Sequence, residues 1–321
     1  MPETNNANAP AVPAKKYIVE GAHYFFPEKT GDREARMYLA CGEKGGGKSW
    51  ETIRYLISDY VVPPPSSNQI PRKGLILDVN DEYRAFGVRA ISIENIPLFC
   101  AHPQTELRCI RPYTIGPGGI AHKMSLDDIL QALNKILNLY KGGVLLVEDI
   151  SRIAAYNLKQ DLLGAICTNR HNDCDVIMHY QNTNRPLPAV WENTNIVRLH
   201  HQKTSVYNID PKNANVELFR IGQIIVNRRH DAGQAHFFVH LDLDSDKIYG
   251  NFSGNEFMTA IIEMISERHS HYIKPLLDKR DVGGNKMYNY ATALKAISQK
   301  KFLDYWGNTV IDPKKAHLIF C

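Results

Sequence analysis

Short apolar runs alternate with longer amphipathic segments between residue 16 and about residue 250, and this alternation limits the folds open to the chain. The apolar runs, rich in leucine and β-branched residues, lie at 37–41, 74–79, 106–112, 142–148, 175–180 and 195–201. Parallel strands need a long connection, and a helix packed on the sheet usually supplies it. The sequence therefore predicts an α/β fold with a mainly parallel sheet flanked by helices.

Two of the connecting segments have helical periodicity. Residues 125–140 begin with Ser125 as an N-cap and Asp128 three positions later, and their apolar residues recur every three or four positions. Residues 159–171 show a similar pattern ahead of the run at 175–180. Both segments are predicted to be helices that pack on the sheet.

Composition divides the chain into three regions. Residues 1–15 are polar and rich in proline, asparagine and alanine, which is typical of a disordered tail. Residues 16–252 contain the α/β pattern and end in a hairpin-like stretch at 233–252. Residues 253–321 are predicted to form a mainly helical C-terminal appendage, with helices at 254–269 and 289–306. Its aromatic residues are expected to form a small core.

The charge of the chain is concentrated near its C-terminus. The formal net charge is only +4, but nine Lys or Arg lie between residues 274 and 315 against four Asp. A modest net charge does not by itself indicate a nucleic-acid partner, so local clusters must be considered. The C-terminal lysines are candidates for contact with a partner: Lys300, Lys301, Lys314 and Lys315.

Cysteine spacing and hydropathy bear on the cellular compartment. The six cysteines form no pair or cluster with metal-ligand spacing and are read as reduced thiols. No apolar stretch has the length that a signal peptide or a membrane span requires. These features predict a cytoplasmic protein without membrane insertion.

A glycine-rich segment follows the first apolar run. Residues 42–49 fit the G-x-x-x-x-G-K-[ST] pattern (Walker A), and a helix start follows them. In this P-loop, backbone N–H groups and the helix N-terminus bind phosphate, Lys48 reaches the β- and γ-phosphates, and Ser49 holds Mg²⁺. The alternative is a glycine-rich turn with a chance lysine. The predicted cofactors are ATP and Mg²⁺, and the predicted nucleotide-binding residues are Gly42, Glu43, Lys44, Gly45, Gly46, Gly47, Lys48, Ser49 and Trp50.

Polar residues follow two other strands of the predicted sheet. Glu148 and Asp149 come after the run at 142–148, where they can orient Mg²⁺ and the attacking water. We assign Glu148 to the Mg²⁺ shell and Asp149 to activation of water. Gln181 ends the run at 175–180 and is placed to contact the γ-phosphate or the water. The alternatives are an acidic helix cap for the pair and a plain loop amide for Gln181.

Together these motifs resemble the FtsK–HerA superfamily of P-loop ATPases, which have a RecA-like (ASCE) sheet. The resemblance covers about residues 37–200 and depends on "GEKGGGKS", "LILDVNDEY", "LLVED" and "NRHNDCDVIMHYQNTNRP". It implies nucleotide binding by Lys48 and Ser49 and a sensor role for Gln181. It also implies an arginine finger that reaches a neighbouring subunit, with Arg170 the first candidate and Arg185 the second. The Glu-Asp order of the acidic pair is the reverse of the usual order in that superfamily.

Within the superfamily, a compact ATPase with a short basic C-terminal region most resembles a viral (phage) genome-packaging ATPase. The resemblance implies a DNA-translocating motor, a homo-oligomeric ring of five or six copies, and a portal or capsid-vertex protein as a candidate partner. For a viral protein the compartment is the host cytoplasm, with association with the virion as a further expectation. Basic residues that are candidates for contact with DNA are Arg198, Lys203, Arg228 and Arg229; the alternative for each is solvated surface charge.

Two other functions remain open at this point. One is a filamentous-phage assembly ATPase similar to zonular occludens toxin, which meets the membrane through a separate protein. The other is a nucleotide-binding scaffold that does not turn over ATP, for which the reversed Glu148–Asp149 order is the only support in the sequence. A GTPase is disfavoured because the sequence has no N-K-x-D motif for guanine.

Overall fold

The computed structural model describes residues 35–63, 70–115, 117–148, 173–209 and 215–308. Its strands are β1 (Met37–Cys41), β2 (Lys73–Leu77), β3 (Arg89–Ala90), β4 (Leu107–Ile110), β5 (Tyr113–Ile115), β6 (Ala121–Lys123), β7 (Gly143–Val147), β8 (Asp175–Tyr180), β9 (Ile196–His200), β10 (Phe238–Asp242) and β11 (Lys247–Gly250). Its α-helices are α1 (Lys48–Tyr55), α2 (Ile96–Ala101), α3 (Leu126–Leu139), α4 (Pro188–Asn193), α5 (Val216–Asp231), α6 (Gly254–Glu267), α7 (His269–Tyr272), α8 (Lys274–Leu277) and α9 (Tyr290–Tyr305).

A nine-stranded sheet organises the described part of the chain, with the order β11-β10-β9-β1-β8-β7-β2-β4-β3. Neighbouring strands from β9 to β3 pair in parallel, whereas β10 runs antiparallel to both β9 and β11. The predicted α/β fold with a mainly parallel sheet is confirmed. The six predicted strands are present as β1, β2, β4, β7, β8 and β9.

The parallel pairing brings the carboxyl ends of seven strands to one edge of the sheet. β1 lies between β8 and β9, and β7 lies between β8 and β2. The glycine-rich segment 42–49 follows β1, the turn 78–83 follows β2, Glu148 follows β7 and Gln181 follows β8. This edge is where ligands of open α/β sheets bind.

Both faces of the sheet are covered. Leu39 and Leu75 pack in a cluster with residues of α3 and α5 on one face, whereas Tyr38 and Ile76 pack in a second cluster with residues of α1 on the other. All five residues of β1 and of β7 are buried. Burial on both faces explains why these strands are continuous apolar runs and do not alternate with polar residues.

The helix predicted at 125–140 is confirmed as α3. Ser125 accepts a hydrogen bond from the backbone N–H of Asp128, and the Asp128 carboxylate accepts one from the backbone N–H of Ser125 (2.8 Å). This reciprocal capping box satisfies two N–H groups that have no partner within the helix. The buried residues of α3 lie on one face: Ala132, Leu133, Ile136 and Leu137.

The C-terminal elements match their predictions. The hairpin at 233–252 is β10–β11, and the two helices are α6 and α9. Aromatic rings form a small core there: the Phe302 ring lies 5.3 Å from that of Phe257 and 5.0 Å from that of Trp306. Lys301 forms an ion pair with Glu217 of α5, and its contact with a partner stays a prediction.

Helix α5 has no counterpart in the sequence predictions. It is buried between the sheet and α6, so it has apolar residues on several sides. Those inaccessible to solvent or nearly so include Leu218, Phe219, Ile221 and Val226. A helix surrounded on several sides lacks the single apolar stripe that helical periodicity detects.

Several predictions fall outside the described residues: the tail 1–15, the helix predicted at 159–171, and Lys314 and Lys315. Among the residues that are described, no helix has the length and hydropathy needed to cross a membrane. Within the same ranges the cysteines are free, and Cys41, Cys109 and Cys174 are buried.

Candidate functional site

The glycine-rich segment 42–49, called the phosphate loop below, joins β1 to the first turn of α1. Gly42, Gly45 and Gly47 have φ angles of 155°, 83° and 85°, a region that residues with a Cβ rarely adopt. A Cβ on Gly42 would also lie 2.5 Å from the Cβ of His200. The loop therefore needs glycine at these positions, and it leads directly into the N-terminus of α1, whose first N–H groups have no partner within the helix.

The side chain of Lys48 folds back over this loop. Its Nζ donates hydrogen bonds to the carbonyl oxygens of Gly42 (2.7 Å) and Glu43 (2.8 Å). Burial lowers the pKa of Lys48, and the carboxylate of Glu148 opposes that shift. A phosphate in the loop would compete with the two carbonyls for the ammonium group.

Glu43 anchors the loop to the end of β9. Its backbone N–H donates to the carbonyl of His201 (2.9 Å), and its carboxylate accepts from the backbone N–H of Lys203 (2.8 Å). These two contacts tie the loop to the strand on the far side of β1 from β8.

The turn 78–83 carries two functional side chains to the phosphate loop. The buried carboxylate of Asp78 accepts hydrogen bonds from the backbone N–H groups of Asn80 (3.3 Å), Glu82 (3.0 Å) and Tyr83 (2.9 Å). Asp81 adopts a left-handed φ of 57°, which reverses the chain. The "LILDVNDEY" stretch thus has a structural basis, because its first aspartate, Asp78, holds the turn that carries Glu82 and Tyr83.

Glu82 and Tyr83 point to different groups. The Oγ of Ser49 donates to Oε2 of Glu82 over 3.4 Å, and the Glu82 side chain is exposed. The hydroxyl of Tyr83 donates to Oε2 of Glu148 over 2.5 Å, and both of these residues are buried. The same turn therefore contacts the phosphate-loop serine and the acidic residue after β7.

Glu148 is buried, even though it comes directly after the end of strand β7. Its exposed fraction is 5%, and its Oε2 lies 2.7 Å from Nδ1 of His179 on β8. Burial by itself would raise the pKa of this carboxyl group, but His179, Tyr83 and Lys48 together hold the pKa below its usual value. Glu148 therefore carries a negative charge that is already compensated inside the protein.

A row of buried polar groups continues from Glu148 beneath α1. Nε2 of His179 lies 2.9 Å from Oγ1 of Thr52, and the guanidinium of Arg198 donates to the same Oγ1 and to the carbonyl of Lys48 (2.8 Å). Burial lowers the pKa of Arg198 to about 10. The row links β7, β8 and β9 to the helix that begins at the phosphate loop.

The structure places the other predicted residues as follows. Gln181 is exposed and comes directly after Tyr180, whose carbonyl accepts from the N–H of Gly42 (3.2 Å), so it lies beside the phosphate loop. Arg185 is exposed in the loop after β8. Asp149 and Arg170 lie outside the described residues. The roles assigned to these residues stay predictions.

The four candidate DNA-contacting residues differ in their surroundings. Arg198 is committed to α1, Arg228 donates to Glu263 (3.0 Å), and Arg229 lies 2.7 Å from Glu256. Lys203 is exposed at the end of β9. DNA contact stays a prediction for all four, and the geometry favours Lys203, because the other three already face groups of this chain.

His179, Thr52 and Arg198 received no role at this site from the sequence, and Glu82 and Tyr83 were noted only as part of a motif. Histidine and arginine within buried strands are unusual, so "DVIMHY" and "NIVRLHH" carried a signal that could have identified two of them. Thr52 gave no such signal. Across the described ranges, no group of three or more His, Cys, Asp or Glu side chains is arranged to hold a metal ion.

Comparison with known proteins gives matches in structure only. No protein-family model matches the chain. No curated protein matches it either. Among solved structures, it is similar to the genome packaging NTPase B204 from Sulfolobus turreted icosahedral virus 2 in complex with AMP, with 16% identity, 67% of this chain and 96% of that chain covered, and a TM-score of 0.40.

Two further similar structures differ in coverage. The DNA-packaging ATPase B204 from Sulfolobus Turreted Icosahedral Virus has 15% identity, covers 68% of this chain and 98% of its own, and gives a TM-score of 0.40. The N-terminal domain of zonular occludens toxin from Neisseria meningitidis has 16% identity, covers 53% of this chain and 79% of its own, and gives a TM-score of 0.32.

Proposed function

We propose that the chain hydrolyses ATP and couples hydrolysis to the movement of DNA, as a genome-packaging ATPase in a homo-oligomeric ring. The observation that carries the hydrolase part is the meeting of a phosphate loop with two carboxylates at one edge of the sheet. Ser49 lies 3.4 Å from Glu82, and the same turn holds Glu148 through Tyr83. Phosphate binding and carboxylates at adjoining strand ends are the two requirements of this chemistry.

The residues present fit ATP and Mg²⁺. The glycines of the phosphate loop have the backbone angles that a phosphate cradle needs, and the N-terminus of α1 follows at once. Ser49 and the nearby carboxylates supply the oxygen ligands that Mg²⁺ prefers. When bound, the metal would neutralise charge on the β- and γ-phosphates.

Each residue then has a role that its position supports. Lys48 would exchange the carbonyls of Gly42 and Glu43 for phosphate oxygens, since its ammonium and both carbonyls belong to the phosphate loop. Gln181, exposed beside the loop, would contact the γ-phosphate or the water. Asp149 would accept a proton from the attacking water, as the member of the acidic pair that comes after the buried Glu148.

The sequence resemblance supports assembly into a ring and contact with DNA. An arginine supplied by a neighbouring subunit, Arg170 or Arg185, would stabilise charge on the transferred phosphoryl group and make hydrolysis depend on assembly. Of the four candidate DNA contacts, Lys203 is favoured, because it is exposed next to the site. A portal or capsid-vertex protein would dock on the ring.

The experiment is steady-state ATP hydrolysis by the full chain with and without single- and double-stranded DNA. We expect turnover that rises with DNA, that is lost in Lys48→Ala, and that is unchanged in Lys135→Ala, an exposed lysine on α3. If the subunits act as a ring, mixing Arg170→Ala subunits into the wild-type protein should lower ATP turnover by more than the fraction of mutant subunits added. Turnover that is indifferent to DNA at every salt concentration contradicts the motor.

One observation favours a second candidate, a nucleotide-binding scaffold without turnover. Glu148 is buried and its charge is met by Tyr83 and His179, so it is not poised toward a ligand. The scaffold predicts ATP binding that needs Lys48 and wild-type hydrolysis no faster than that of Asp149→Ala.

A further inference from the structure

Among the described residues, Glu82 has an exposed carboxylate that contacts the phosphate loop, and Glu82 lies outside the expected acidic pair. Oε2 of Glu82 lies 3.4 Å from the hydroxyl of Ser49, the second residue of α1. The Glu82 side chain is exposed, so its carboxylate faces the mouth of the loop and can change partner without opening the core.

The backbone around Glu82 is built to hold it there. Asp78 is completely buried and uses both carboxylate oxygens on N–H groups of the turn, including that of Glu82 (3.0 Å). Asp81 has a left-handed φ of 57°, and its Oδ1 lies 3.5 Å from Nε of Arg111. Non-glycine residues in this region are strained, and such strain is kept where the position of a neighbour matters.

Glu148, by contrast, is held away from the loop mouth. Glu148 is 5% exposed, and its carboxylate already accepts from Tyr83 and contacts His179. Turning it toward a ligand at Ser49 would break both contacts and leave buried polar groups without partners, which is unfavourable.

We propose that Glu82, together with Ser49, is the protein's carboxylate ligand to the Mg²⁺ of bound nucleotide, either directly or through one metal-bound water. This inference rests on the proposed function. Mg²⁺ keeps several waters and takes only one or two carboxylates, so one exposed carboxylate beside the loop serine is sufficient. Glu148 is then a positioning residue. Its hydrogen bond with Tyr83 holds the turn that carries Glu82.

The test measures metal affinity and not hydrolysis alone. The full chain is loaded with a non-hydrolysable ATP analogue, and Mn²⁺, used as a spectroscopic substitute for Mg²⁺, is titrated in and followed by electron paramagnetic resonance. Glu82→Gln keeps an oxygen that can accept from Ser49 but removes the charge. We expect its Mn²⁺ affinity to fall by about 10-fold or more, with binding of the analogue in EDTA unchanged.

A matched control is Glu51→Gln. Glu51 lies on α1 two residues after Ser49, but its carboxylate accepts from Nε of Arg54 (2.9 Å). We expect metal affinity as in the wild type. The unfolding midpoints of Glu82→Gln and Glu51→Gln should match that of the wild type. Glu82→Asp, which withdraws the carboxylate by one methylene, is a second variant at the same position.

The outcomes separate this inference from the proposed function. Normal metal affinity in Glu82→Gln, with or without a loss in Glu148→Gln, overturns the inference and leaves the ATPase intact. Failure of the wild-type chain to bind the analogue overturns the proposed function, and the inference falls with it. A weaker metal site in Glu82→Gln supports the inference even if DNA does not stimulate hydrolysis.

Discussion

Tyr83 donates a hydrogen bond of 2.5 Å from its hydroxyl to Glu148, and this bond joins the turn after β2 to the end of β7. The contacts continue from Glu148 to His179, from His179 to Thr52, and from Thr52 to Arg198. Four strands and helix α1 are thus connected through polar groups that are largely buried. A low local dielectric strengthens such contacts and makes the loss of one partner costly.

Tyr83→Phe tests the first bond of this row. It removes the donor but keeps the ring, so the carboxylate of Glu148 stays buried with one partner fewer. We expect the free energy of unfolding, measured by urea denaturation, to fall by about 2 kcal/mol. Tyr290→Phe on α9, where the ring is 49% exposed, is the matched control and should change it by less than about 0.5 kcal/mol. Equal effects in the two variants would show that the bond to Glu148 contributes nothing particular.

The pH dependence of stability should reflect a buried neutral histidine. His240 of β10 lies opposite Arg198 in the sheet, and burial, with Arg198 and Arg54, lowers its pKa from 6.5 to about 3. Between these values the unfolded chain binds a proton that the folded chain does not, so stability falls as the pH drops below 6.5.

The variant His240→Gln removes this titration. Unfolding free energies measured from pH 7 down to pH 5 should show a slope that is smaller by up to about 1.4 kcal/mol per pH unit than that of the wild type. His122→Gln, an exposed histidine on β6, should keep the wild-type slope. An unchanged slope in His240→Gln would mean that His240 is protonated in the folded state.

Ser125→Ala tests the capping box of α3. The substitution removes the side-chain oxygen that accepts from the N–H of Asp128, and the expected loss of stability is about 1 kcal/mol. Ser245→Ala, at an exposed position in the β10–β11 turn, should be neutral. A neutral result for Ser125→Ala in thermal unfolding would mean that water replaces the cap without cost.

Lys203→Ala tests the favoured DNA contact. If Lys203 neutralises one phosphate, the slope of log K against log salt concentration should become shallower by about 1, with no effect on the unfolding midpoint. Lys135→Ala is the control and should keep the wild-type slope. Identical slopes in all three proteins would remove Lys203 from the DNA interface.

The sequence was sufficient to predict the elements whose chemistry is local. The strands around the phosphate loop are apolar runs, and α3 has both a cap and an apolar stripe, so periodicity found them. The phosphate loop was predictable because its glycines meet a backbone requirement that shows directly in the residue type.

The rest depends on contacts between distant residues. Nothing in the sequence shows that Tyr83 would reach Glu148, 65 positions away, or that Arg198 would bond to a helix 150 positions before it. For that reason Arg198 was predicted as a candidate DNA contact, with solvated surface charge as the alternative. In the sequence, Glu82 was visible only as part of a motif. Its short distance from Ser49 depends on the order of β1, β8, β7 and β2 in the sheet, which the motif does not show.

The most direct measurement of the central claim is displacement of streptavidin from the biotinylated end of single- or double-stranded DNA by the full chain. We predict displacement that requires hydrolysable ATP, that is absent in Lys48→Ala and that is retained in Lys135→Ala. ATP hydrolysis by the wild-type chain without displacement from either kind of DNA, under conditions where the chain binds that DNA, would contradict the account.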